Sequence, residues 1–284
     1  MVVKQIGMET TSLECRPFLK WVGGKRRLLP EILKRIPGSY RTYHEPFLGG
    51  GALFFELQPK SAVLSDSNPD LIAAYKTVRD DCEGLISVLR IMEHSYRARG
   101  ASHYMEVRAQ DPTELDDRHH AARTIYLNKT CFNGVWRVNK AGKFNVPPGV
   151  FKIPPTICDE DNLRACSKTL VNVPIFCRNF KESMRCISSG DFAYFDPPYV
   201  PLSETSNFTS YAKDGFGLQD QSDLAKLALE AKRSGVHILL SNSACPIVRT
   251  LYADPSFKIV KVNMRRNVNC DAGKRSPVRE YLIW

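Results

Sequence analysis

Tyr43-His-Glu-Pro-Phe-Leu-Gly-Gly-Gly-Ala-Leu-Phe-Phe-Glu-Leu57, with Ala62-Val-Leu-Ser-Asp66 close behind, decides the fold. A short strand-like run enters three consecutive glycines, and the apolar run Ala52 to Leu57 leaves them. That is strand, glycine turn, helix. Ala62 to Asp66 reads as a second strand ending at an acid, and Ser67 or Asn68 is placed to cap a helix through Leu71 to Val78. Upstream, Leu28 to Ile36 has apolar residues at helical spacing and stops at Pro37-Gly38. The same alternation returns far downstream. Phe192-Ala-Tyr-Phe195 is a short buried strand, followed by Asp196-Pro-Pro-Tyr199, a helix from about Gln219 to Ser234 and a strand from Val236 to Leu240. Two more strand-like runs, Phe257 to Val262 and Val278 to Ile283, flank a basic loop. Strands separated by helices predict an α/β sheet fold.

Between these halves the chain changes character. Helical patterns at Leu85 to Met92 and Ala121 to Leu127 are joined by charged connections, and a Gly, Pro, Asn and Lys-rich stretch runs from Asn133 to Pro155. The expected organisation is a sheet domain of residues 17–79 and 186–284, interrupted by a mostly helical module, 80–185. At 43% hydrophobic and 25% charged residues, the composition excludes disordered and collagen-like chains. Charge is uneven within the net +10: residues 1–65, 118–185 and 256–284 carry +5, +8 and +5, while 66–117 and 186–255 carry −5 and −3. Basic blocks that converge would make a basic face, and nucleic acid is the first partner to consider; a merely solubilising surface is the alternative. Nine cysteines form no C-x-x-C among positions 158, 166, 177 and 186, so scattered reduced thiols and no metal site are expected. With no secretory h-region near Met1 and no apolar run of roughly 20 residues, a cytoplasmic protein with no membrane contact is expected.

Glycines after a strand let the backbone approach a ligand closely. The run is neither G-x-x-x-x-G-K-[ST] nor a clean G-x-G-x-x-G, so phosphate binding is not its signature. An acid after the second strand commonly accepts hydrogen bonds from a ligand ribose, and Asp66 stands there, slightly early for a dinucleotide site. In Asp196-Pro-Pro-Tyr199 two prolines fix the chain and remove two backbone donors, which leaves carbonyls for whatever occupies the cleft. With an acid before them and an aromatic after, the set offers hydrogen-bond acceptors and a stacking face. It suits a planar base bearing an amino group.

These blocks together resemble the adenine-specific DNA methyltransferases of the alpha class, which use S-adenosylmethionine and run glycine loop, target-recognition insertion, DPPY. Within that class the chain is most like the Dam-type enzymes, which methylate adenine in GATC. The resemblance extends from Pro17 to about Pro277. It rests on Phe18-Leu-Lys-Trp-Val-Gly-Gly-Lys25, the Glu45 to Phe55 loop, Leu64-Ser-Asp-Ser-Asn-Pro-Asp70, Tyr126 to Gly149, the DPPY stretch continuing into Leu202 to Tyr211, and Leu240-Ser-Asn242. It implies a Rossmann-like methyltransferase sheet with helices on both faces and an inserted target-recognition domain with a hairpin loop.

The resemblance also implies roles. Trp21, Lys25, Asp66 and Asp196 are implied cofactor contacts, with Glu45, Pro46, Phe47, Gly49 and Gly51 around the methionine part. Asp196, Pro197, Pro198 and Tyr199 are the implied catalytic site. DNA contacts are implied at Lys20, Phe132, Asn133, Val135, Arg137, Pro147 and Phe208, with Arg137 reading a guanine. Lys129, Lys140, Lys143 and the basic loop Arg265 to Arg275 are expected on phosphates. The implied partners are double-stranded DNA and, in a restriction-modification system, a cognate restriction endonuclease acting on the same site. Cytosine-N4 enzymes usually carry Ser before the prolines, and RNA or protein-glutamine enzymes more often carry Asn; this chain has Asp196. The absence of a Pro-Cys dipeptide argues against carbon-5 cytosine chemistry. A DNA-binding regulator without catalysis is the non-enzyme alternative.

Overall fold

Seven strands form one sheet in the order β3-β2-β1-β4-β5-β7-β6. The computed structural model describes residues 15–199, 216–264 and 278–284. The strands are β1 (Tyr43–Glu45), β2 (Ala62–Asp66), β3 (Ile175–Cys177), β4 (Phe192–Phe195), β5 (His237–Ser243), β6 (Ile259–Met264) and β7 (Val278–Ile283). All neighbouring pairs are parallel except those of β7, which runs antiparallel between β5 and β6. The helices are α1 (Leu29–Leu33), α2 (Ala52–Leu57), α3 (Pro69–Asp80), α4 (Cys82–Arg99), α5 (Ala101–Ala109), α6 (Asp117–Thr130), α7 (Glu160–Leu170), α8 (Phe180–Met184), α9 (Leu218–Arg233) and α10 (Pro246–Leu251). This is a Rossmann-like α/β sheet.

The period of two in β4 explains why both faces are covered. Phe192 and Tyr194 enter one core, with Leu53 and Phe54 of α2 and Leu71 and Tyr75 of α3. Ala193 and Phe195 point the other way, into a second core with Phe180 of α8, Leu224 of α9 and Val248 of α10. A central strand buried on both sides has no polar position to spare, which is why it reads as an unbroken apolar run.

The intervening helices do not build a core of their own. Leu85 of α4, Ile125 of α6 and Leu163 of α7 belong to the same cluster as Tyr75 and Phe192. The sheet also takes a strand from the stretch expected to be an insertion, because β3 pairs with β2. The composition boundary at 185 therefore lies beyond the sheet's own edge. Only Ile175 of β3 is buried, so the strand leaves little hydrophobic trace. No helix among the described residues is long and apolar enough to cross a membrane.

Of the two residues expected to cap α3, Asn68 does so: its Oδ1 accepts the Leu71 N–H at 3.0 Å. Asn68→Ala should cost about 1 kcal/mol of stability. Urea unfolding checks this, and an unchanged midpoint would show that the cap contributes nothing.

Candidate active site

Strands β1 and β4 lie side by side, in register Tyr43 with Phe192 and His44 with Ala193. From β1 the sheet grows through β2 to β3, and from β4 it grows the opposite way. The chain therefore diverges at this pair, and a crevice opens at the carboxyl ends of the two strands, where open α/β sheets bind ligands. Glu45-Pro46-Phe47 leads out of β1 into the glycines, and Asp196-Pro197-Pro198-Tyr199 leads out of β4. Parts of the sequence about 150 residues apart are brought to one rim by strand order alone.

The glycine turn is shaped by two left-handed residues, Gly49 (φ 47°) and Gly51 (φ 65°). A methyl group on Gly51 would come within 2.7 Å of the Tyr75 hydroxyl, and one on Gly49 within 2.7 Å of Trp21 Cδ1. Trp21 thus lies directly on the turn. Asp66 ties the turn to β2: its Oδ2 accepts the Gly49 N–H at 3.0 Å and its Oδ1 the Asn68 N–H at 3.0 Å. Burial raises the Asp66 pKa, and these N–H groups oppose the shift. Pro46 is buried, and Phe47 stacks on Phe180 with centroids 5.6 Å apart.

Across the crevice, Lys25 is the hub. Its Nζ is 2.9 Å from Asp196 Oδ1 and 3.6 Å from Glu280 Oε2, and it donates to the Tyr199 hydroxyl while lying 4.5 Å from the ring centroid. Ser241 donates to the same Asp196 Oδ1 at 2.8 Å. Lys25 is 4% exposed, whereas Asp196 keeps 20% of its side chain accessible, enough for an incoming group to reach it. Burial raises the Asp196 pKa, Lys25 and Ser241 lower it, and Glu280 raises it again. Burial and the charges of Asp196 and Glu280 hold the Tyr199 hydroxyl far above its usual range, so it stays neutral. Glu45 is buried, accepts the Tyr43 hydroxyl at 2.7 Å, and is pushed up to about 8, chiefly by burial. One lysine therefore faces an excess of acids, a donor set suited to a cofactor that carries positive charge.

The hairpin expected to read DNA stands at the other side of Trp21. Isolated bridges join Cys131 to Pro148 and Val138 to Phe144. Trp21 stacks on Trp136 at 6.3 Å, and Trp136 meets Phe144 at 4.6 Å. Phe132, Asn133, Arg137 and Pro147 are exposed, and Val135 is half-buried against the first core. Asn133 is left-handed (φ 55°), and Phe132 N–H is held by the Pro147 carbonyl at 3.0 Å. Arg137 Nε donates to Asn145 Oδ1 at 2.7 Å. Lys20 is exposed, its backbone clamped by Asn128, which accepts its N–H at 2.8 Å and donates to its carbonyl at 2.7 Å. Lys140 and Lys143 are exposed, while Lys129 is half-buried. Phe208 and the basic loop Arg265 to Arg275 lie outside the described residues.

Sequence reasoning missed Glu280, Gln221 and the role of Ser241. Ser241 and Asn242 stood in a motif without an assigned contact. Glu280 enters the crevice only because β7 inserts beside β5 from the end of the chain, an arrangement with no local signal. A buried acid within an apolar strand was its one available mark.

The chain belongs to the D12 class N6 adenine-specific DNA methyltransferases, whose family pattern matches residues 21–268. It is 38% identical to a Type II methyltransferase of Lactococcus lactis subsp. cremoris, covering 97% of each chain. It is 41% identical to a Type II methyltransferase of Methanocaldococcus jannaschii, over 95% of this chain and 99% of that one. It is 35% identical to a DNA adenine methylase of Haemophilus influenzae, over 95% and 93% of the two chains.

Glu45 gives a pH test. Its folded-state pKa of about 8 exceeds the unfolded value of 4.5, so the native state binds the extra proton between them and loses stability as pH rises through that window. Glu45→Gln should flatten this fall. Parallel curves of unfolding midpoint against pH for the two proteins would contradict it.

Proposed function

We propose that the protein transfers a methyl group from S-adenosylmethionine to the exocyclic N6 amine of an adenine flipped out of double-stranded DNA, within GATC. The carrying observation is the meeting of the glycine turn and Asp196-Pro-Pro-Tyr199 at the β1–β4 crevice. Family membership and the DNA adenine methylases among the relatives support adenine in DNA as the substrate, and the Dam-type resemblance of the sequence motifs supports GATC.

The fit to the cofactor rests on the crevice itself. Gly49 and Gly51 bring backbone close to the methionine part, beside Glu45, Pro46 and Phe47. Asp66 has lone pairs beyond its two backbone bonds for the ribose hydroxyls. Trp21, Lys25 and Asp196 complete the contacts, and the acid excess offsets a positive charge. When bound, the cofactor supplies an electrophilic methyl group on a sulfonium.

Adenine's amine is a poor nucleophile, because its lone pair is delocalised into the ring, and it is inaccessible within the duplex. Flipping costs a few kcal/mol. Stacking on Tyr199 returns about 1–3 kcal/mol. Lys25 and Ser241 both converge on Asp196 Oδ1, so Oδ2 is the oxygen we assign to one amino hydrogen. The Pro197 carbonyl accepts the other. Together they shift electron density onto the nitrogen and aim it at the methyl group, catalysis by positioning and fixed dipoles. The amine loses a proton as the new bond forms, and Asp196 receives it.

Helices α4 to α7 and the hairpin form the proposed DNA-reading part. Arg137 contacts a guanine through its outer guanidinium edge, with Asn145 holding Nε behind it. Lys20, Phe132, Asn133, Val135 and Pro147 flank it, and Phe208 is assigned to the flipped-base pocket. The Type II names of two relatives support pairing with a restriction endonuclease of the same site. A DNA substrate supports the cytoplasmic location expected from the sequence.

Tritium transfer from labelled cofactor to a duplex with one GATC site, beside a duplex with that adenine out of context, tests the reading. Label on the first alone is expected; label on both would discard GATC, and none on either would discard the enzyme. Arg137→Ala should cost about 1–3 kcal/mol at one guanine and relax the preference there. An unchanged preference among single-base variants of the site would show that another residue reads it.

A further inference from the structure

Gln221, in the first turn of α9, is 1% exposed, and both ends of its amide are engaged. Nε2 donates to the Pro198 carbonyl at 2.8 Å, and Oε1 accepts from Asn242 Nδ2 at 3.0 Å. Asn242 is itself fully buried, and its Oδ1 accepts the backbone N–H of Ser243 at 2.8 Å. A backbone N–H can only donate, so it fixes which way Asn242 faces, and Asn242 then fixes Gln221. The relay has one direction, from the end of β5 to the proline turn.

The target of the relay is specific. Proline rings set φ at both residues of the turn, and ψ is the freedom that remains. A donor on the Pro198 carbonyl fixes the peptide plane between Pro198 and Tyr199. It also occupies that carbonyl, while among the described residues no donor reaches the carbonyl of Pro197. The preceding residue of β5 holds the other side of the turn: Ser241, itself 3.0 Å from the Tyr194 hydroxyl, donates to Asp196. A buried amide is costly unless fully paired, and an apolar side chain of similar size would fill this space without that demand.

We propose that Gln221 is a positioning residue for methyl transfer. It reserves the Pro198 carbonyl, leaves the Pro197 carbonyl to the substrate amine, and sets the plane on which Tyr199 receives the base. This rests on the transfer chemistry proposed above.

Single-turnover methyl transfer, with separate measurement of cofactor and DNA dissociation constants, tests it in two variants beside the wild type. Gln221→Met keeps the volume and loses the donor; its transfer rate should fall roughly 100-fold, as misplacement near 1 Å does, with both dissociation constants within about twofold of wild type. Gln221→Glu donates to Pro198 only while protonated, so its rate relative to wild type should fall as pH rises from about 6 to about 9. A wild-type rate in Gln221→Met, a loss shared equally with binding, or a pH-independent ratio for Gln221→Glu would each overturn the positioning role. Failure of the wild type to transfer label would instead defeat the underlying reaction.

Discussion

The structure depends on a buried charge balance at the end of β4. Asp196 and Glu280 gather around Lys25, and Lys25 is almost wholly enclosed. Removing one partner of such a pair leaves an uncompensated charge and costs about 3–5 kcal/mol, so the lysine, its acids and the strands that carry them are bound to one another. Lys25 lies before β1, Asp196 follows β4 and Glu280 belongs to β7. Three distant parts of the chain therefore converge on one cation, and the segment leading to it also delivers Trp21 to the glycine turn. The same pairing directs Asp196, because Lys25 and Ser241 both bond its Oδ1.

Strand order does the rest. Two cores grip opposite faces of the sheet, so the loops at its carboxyl edge rest on rigid elements. The helices between β2 and β3 extend the first core rather than floating apart, which ties the hairpin to the turn through Trp21 and Trp136. This stacked pair puts the glycine turn and the hairpin in direct contact.

Much of this was legible in the sequence. The bounds read for β2, α2, β4 and β7 match those found, and the first three are short apolar runs stopped by a turn or an acid. What was missed has physical reasons. β3 buries one residue. α5 buries only His103, Tyr104 and Val107, too few to set a period. α6 hides polar residues as well as apolar ones: Arg123 is buried with its guanidinium on the carbonyls of Val107 and Arg108. The glycine turn and the DPPY stretch announce themselves locally. Glu280 and Gln221 act through partners that only strand order and helix placement supply, so no window of sequence contains them.

The claim that Asp196 accepts the substrate amine is tested most directly by Asp196→Ala in single-turnover transfer, with cofactor binding followed on the same preparation. The account predicts a protein that folds with a lower unfolding midpoint, still binds DNA and has lost methyl transfer. Transfer at the wild-type rate would contradict it.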